Sequence, residues 1–191
     1  QYLGQNFRTG TPRYNDQLQF YVRDEWGTLS IGNVSLATRT DTRRRVGTRN
    51  TALRFDDFHG GLDQDALYYR FGHRAHNISV TADIEGRAEV GYYFLRPIDD
   101  ATYRFSARVR KGDSTDGIQR GKPAADTYGA AIVGGYGYGS LNTDLQLGVE
   151  QLDFKATTTS NDRVFSSAGI SYKLYNITIS AEGLAGSYDN K

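Results

Sequence analysis

The feature that most limits what this chain can form is a two-residue period of apolar and polar side chains, sustained over segments too long for an ordinary soluble sheet. In Ala101 to Arg110, Tyr103, Phe105, Ala107 and Val109 alternate with Arg104, Ser106, Arg108 and Arg110. Successive side chains of a strand point to opposite faces, so this segment has one apolar and one charged side. The same division runs through Gln17–Arg23, where Leu18, Phe20 and Val22 oppose Gln19, Tyr21 and Arg23, and through Ile78–Glu85 and Asp144–Glu150. Helical periodicity is nearly absent, which places the chain in the all-β class. Segments 127–138, 141–154 and 176–188 exceed the usual strand of about 5–6 residues. They reach the roughly 9–11 residues that a tilted membrane-spanning strand needs.

About ten strands are predicted, at 17–23, 27–34, 66–71, 76–84, 88–95, 101–110, 127–137, 141–154, 163–173 and 176–188, with an eleventh at 2–9. Short turns (Asp24–Trp26, Arg96–Asp100, Tyr138–Asn142, Lys173–Asn176) alternate with long polar connections at 35–64, 111–126 and 155–162. Short turns at one end and long loops at the other are the pattern of outer-membrane barrels. The connection at Glu85–Arg87 is short where that pattern asks for a long one, and Asp189-Asn190-Lys191 reads as a loop. Aromatic residues gather near strand ends, as in the girdles that such barrels place at both membrane interfaces. The expected fold is one domain over 1–191, an antiparallel transmembrane β-barrel with ten to twelve visible strands.

Composition adds exclusions. Lys+Arg is 23 against Asp+Glu 22, without the basic excess of a nucleic-acid binder. Cys is 0, which rules out disulfides and thiol chemistry. Met is also 0, so Gln1 is expected to follow signal-peptide removal or to begin an internal piece.

If the apolar faces meet lipid, the other faces line a lumen with Arg23, Arg70, Arg104, Arg108 and Arg110 against Asp83, Glu85, Glu89, Asp144, Glu150 and Glu182. These arginines either line a pore or bridge to Asp83, Glu85 and Glu89 on nearby strands. The 35–64 connection is the longest and carries Arg39, Arg43, Arg44, Arg45, Arg49 and Arg54 before Asp56, Asp57 and Asp63. A loop of that length in a compact domain is usually functional or disordered. Folded inward, it would set Asp56, Asp57 and Asp63 across from Arg23, Arg104 and Arg108, and charged constrictions of this kind set pore selectivity. The alternative is a solvated external loop.

Leu18 to Val34, with its stretch Trp26-Gly27-Thr28-Leu29-Ser30-Ile31-Gly32-Asn33-Val34, resembles the run that enters the constriction loop of general diffusion porins, especially alphaproteobacterial ones. Asp65 to Arg70 resembles the strand that leaves it, and Gly134-Gly135-Tyr136-Gly137-Tyr138 and Ala168-Gly169-Ile170-Ser171-Tyr172 look like porin strands before a short turn. The resemblance implies a barrel of about sixteen strands, a homotrimer among outer-membrane lipid and lipopolysaccharide, and passive diffusion of small hydrophilic solutes and ions. It implies that 35–64 folds into the pore, with Asp56, Asp57 and Asp63 on the loop and Arg23, Arg70, Arg104 and Arg108 on the wall. Members of that family are about half as long again, so the chain is expected to be part of such a barrel or a smaller one.

An enzyme is not expected. The 3 His are His59, His73 and His76; His73 and His76 fall at a tight turn, and His59 beside Asp56 and Asp57 is a weak dyad for an outer-membrane hydrolase. Nucleophile-elbow and phosphate-loop motifs do not occur. Asp56, Asp57 and Asp63 could hold calcium, a hard cation that takes clustered carboxylates; no other cofactor is expected. A structural or adhesive barrel without an open pore is the other alternative.

Overall fold

The structure, a computed structural model, describes residues 19–34, 37–42, 58, 62, 65–113, 125–155 and 160–190. They form one antiparallel sheet of ten strands in which sheet order equals chain order. The strands are β1 (Gln19–Asp24), β2 (Gly27–Asn33), β3 (Asp65–His73), β4 (His76–Asp83), β5 (Ala88–Ile98), β6 (Ala101–Asp113), β7 (Ala125–Tyr138), β8 (Leu141–Phe154), β9 (Ser160–Leu174) and β10 (Ile177–Asn190). A six-residue helix, α1 (Ala37–Thr42), follows β2. The sheet is open: β1 and β10 are its edges and do not pair with each other. The closed barrel of ten to twelve strands is therefore not what the described residues build, and the expected strand at 2–9 lies outside them.

Register shows how the alternation is used. Val22, Leu29, Tyr69, Val80, Val90, Val109, Ala130, Val149 and Val164 lie side by side on nine consecutive strands. One strand position away the neighbours are Arg23, Thr28, Arg70, Ser79, Gly91, Arg108, Ala131, Gly148 and Phe165. A slip of one residue would exchange the two rows, so each strand's pattern pins its register.

The faces are inverted relative to a soluble sheet. Val22, Ile31, Ile78, Val109, Leu145 and Val149 are at least half exposed, whereas Ser79, Thr81, Glu89, Arg108, Arg110, Gln146, Glu150 and Arg163 are buried. Apolar clusters are small: Val34, Ala66 and Tyr68 with Ala37 packed against them, and Phe58 with Ala131 and Phe165.

The hairpins β1–β2, β3–β4, β5–β6, β7–β8 and β9–β10 each close on two residues. Arg74, Asp99 and Tyr175 lead three of these turns at φ of 56°, 50° and 52°. A left-handed leading residue matches the turn to the twist of the strands it joins. Gly27 (φ 124°) closes the first hairpin, and a Cβ there would stand 2.4 Å from the Arg70 carbonyl oxygen. Opposite these turns lie the long connections and the short β4–β5 turn, where the Asp83 carboxylate accepts from the backbone N–H of Glu85 and of Arg87, each at 3.0 Å.

Four expectations change. Strands run beyond their predicted ends, β5 to Ile98 and β6 to Asp113. β10 takes in Asp189 and Asn190, which read as a loop. Glu85, expected on the polar face, sits exposed in the β4–β5 turn. The 35–64 connection contains α1, for which the sequence has no apolar stripe. Its residues Ala37-Thr38-Arg39-Thr40-Asp41-Thr42 are mediocre helix formers, so docking rather than propensity forms it. Thr38 Oγ1 lies 2.8 Å from Thr81 Oγ1 on β4, and Ser106 Oγ on β6 donates to the Thr42 carbonyl at 2.6 Å.

Candidate functional site

The polar face carries the chemistry-bearing groups, because alternation places every second residue of each strand there and pairing sets those residues in rows. It divides into two zones. Toward the β1 edge, Tyr21, Arg23, Thr28, Tyr68, Arg70 and Asn77 line a groove of about 600 Å³. Arg23 Nε donates to Thr28 Oγ1 at 3.1 Å and Arg70 Nη2 to Asn77 Oδ1 at 3.0 Å. From α1, Asp41 reaches this zone: Tyr68 Oη donates to its Oδ2 at 2.6 Å, and Arg70 Nη1 stands 3.6 Å from its Oδ1. The Arg70 side chain remains 43% exposed.

Farther along the sheet the charges are buried and interlocked. Arg108 Nη1 donates to Glu89 Oε1 at 3.1 Å. Glu150 joins two arginines, with Arg163 Nη1 at 3.1 Å from Oε2 and Arg110 Nη2 at 3.6 Å from Oε1. Phe58, from the 35–64 connection, inserts here and meets the Phe165 ring edge-on at 5.8 Å between centroids. Arg108 and Arg110 lie over the Phe58 ring at 4.7 and 4.9 Å, and Arg163 covers Phe165 at 4.6 Å. Glycine makes this fit: a Cβ at Gly129 would come within 2.5 Å of the Phe58 ring, and one at Gly148 within 2.1 Å of Phe165.

No family model, curated protein or solved structure matches this chain.

Of the sequence-predicted site residues, Arg23 and Arg70 meet in the groove, Arg108 lies in the buried network, and Arg104 stands between, its Nη2 donating to the Thr143 carbonyl at 3.3 Å. Asp56, Asp57 and Asp63, with His59, lie outside the described residues, as do the loop arginines from Arg43 to Arg54. Among the described residues no group of three or more His, Cys, Asp or Glu is arranged to hold a metal. His73 and His76 are the facing pair that closes the β3–β4 hairpin, and His76 Nδ1 lies 2.7 Å from Tyr92 Oη.

Sequence reasoning missed Asp41, Phe58 and Arg163 as site residues. Asp41 was hidden because no helix was expected there. Arg163 and Phe165 share a face, which blurs the alternation of β9. The legible signal was Gly148, paired directly with Phe165 and leaving room for its ring.

Proposed function

We propose that this chain is the wall of an outer-membrane β-barrel of the general diffusion porin type, a water-filled channel for passive movement of small hydrophilic solutes and ions. The observation that carries the reading is the inverted sheet. Apolar side chains cover the exposed face in continuous cross-strand rows, and charged and hydroxyl groups fill the sheltered one. In water such an apolar face is an aggregation hazard; in lipid it is the solvated face. Strands of 13 to 15 residues, β6 to β9, have the length to cross a bilayer at a tilt. No described helix is long and apolar enough to cross a membrane.

In lipid an open sheet edge leaves backbone groups without partners, so β1 and β10 need further strands beside them. The porin resemblance supplies these with about sixteen strands, and with them a homotrimer, a setting among outer-membrane lipid and lipopolysaccharide, and no catalytic role. Selectivity is then a property of the wall. The exposed guanidiniums of Arg23 and Arg70 bias the lumen toward anions, and Asp41 tempers that bias.

A second reading, a structural or adhesive barrel without an open pore, draws on the packing of Phe58, Phe165 and the Arg–Glu network against the polar face. Planar-bilayer recording of the detergent-purified protein at graded salt separates the two. Stable ohmic steps in groups of three support the trimeric pore. Silence from folded, heat-modifiable protein sinks it in favour of the closed barrel.

A further inference from the structure

We propose that Phe58 is a cation–π anchor, a positioning residue that fastens the 35–64 connection to the wall, and that Arg108 and Arg110 serve chiefly to hold its ring. A guanidinium offers two recognition surfaces: a rim of N–H donors for carboxylates and a flat face for aromatic rings. Here the rims take Glu89 and Glu150, and Phe58 lies against both guanidiniums. The charges thus stay neutralised in a sheltered place while the ring gains a cation–π attraction that strengthens with desolvation. Phe165 supplies the third wall of the slot and Gly129 its floor. Phe58 is 3% exposed, so burial and electrostatics act on the same ring.

The second point of attachment has different chemistry. α1 rests on β4, β5 and β6 through Thr38 and Thr42, bonded to Thr81 and Ser106, with Gly91 leaving room for both threonine methyls. The connection is therefore held at one place by neutral hydroxyls and at the other by an aromatic ring under two cations. Loss of the ring alone should free the Phe58 site and leave the helix docked.

The docking itself is tested without reference to any channel. Trp26 is the only tryptophan, so Trp26→Phe/Phe58→Trp gives a protein whose emission comes from position 58. In folded protein the anchor predicts blue-shifted emission and several-fold weaker acrylamide quenching than in urea. Adding Arg110→Leu should restore much of the quenching. Solvent-like emission in folded protein overturns the anchor, and so does emission indifferent to Arg110→Leu, which would leave burial alone as the cause.

The consequence for transport rests on the pore reading and is tested apart from the docking. Phe58→Leu keeps an apolar group but loses the ring, and should raise open-channel noise and mean conductance, whereas Phe58→Trp should restore quiet steps. Phe58→Leu channels as quiet and narrow as wild type overturn the positioning role. Protein that never conducts, while its emission reports a buried, Arg110-dependent ring, refutes the pore and leaves the anchor standing.

Discussion

The two zones of the polar face use the same residue type in opposite ways. Arg23 and Arg70, near the β1 edge, keep their guanidiniums in an open groove and bond mainly to neutral partners, Thr28 and Asn77. Arg108, Arg110 and Arg163, from β6 and β9, are almost fully enclosed and meet carboxylates and rings. A charge that faces water is available to a passing solute but adds little to stability. A charge sealed among carboxylates is invisible to solute, yet its partners cannot be removed cheaply. Counting arginines on a wall therefore says little about selectivity until each is placed in one zone or the other.

Glu150→Gln should break the contrast most severely. It removes the carboxylate shared by Arg110 and Arg163 and should cost about 3–5 kcal/mol, the range for a broken buried pair. The check is the midpoint of heat modifiability or urea unfolding; a loss below about 1 kcal/mol, the scale of exposed pairs, would erase the distinction between the zones. Next comes Gly129→Val, which drives a side chain into the space of the Phe58 ring. A cost of about 1–3 kcal/mol is expected from overpacking, read in the same assay.

Function is sharpened by a pair of variants. Arg70→Ala should move the reversal potential in a salt gradient toward cations. Glu89→Gln/Arg108→Gln deletes a neutral buried pair and should leave the potential where it was. An equal shift in both would mean that the buried network also faces the permeating ions. For stability, Arg23→Ala should change the unfolding midpoint by no more than about 0.5 kcal/mol, as for most surface substitutions.

The smallest expected effect is one of pH. Lys155, just past β8, bonds the Asp113 carboxylate at 2.8 Å and lies 3.2 Å from Asp126. Its ammonium is held above its usual 10.5, first by the bond to Asp113 and then by that to Asp126. A cation with a raised folded-state pKa stabilises fully below its ordinary value and loses that contribution as pH rises through the folded value. Lys155→Ala should therefore match wild type in pH dependence through neutrality, with any difference confined to strong alkali in a pH series of unfolding midpoints.

The strands were legible because each keeps one face apolar, and in β6 or β8 the alternation is clean enough to give the register as well. The charged wall was legible for the same reason, as was the partnership of Arg108 with Glu89. What escaped was set by contacts between distant parts of the chain. α1 has no amphipathic stripe because it docks by threonine hydroxyls, and Phe58 has no local pattern because its slot is assembled from β6, β7 and β9. The sequence also pointed to closure into a barrel, whereas the described residues form an open sheet. Closure is a property of the edges, and alternation within strands does not encode it.

One consequence follows from sheet order matching chain order. Every strand finds its partner next to it along the polypeptide, so β-sheet contacts are formed without threading one segment past another. The repeating unit is a hairpin with a two-residue turn, and each completed hairpin offers its last strand as the template for the next. Such a ribbon can lengthen one hairpin at a time with its hydrated side kept in water throughout, and duplicating a hairpin would widen the wall without rewiring what flanks it.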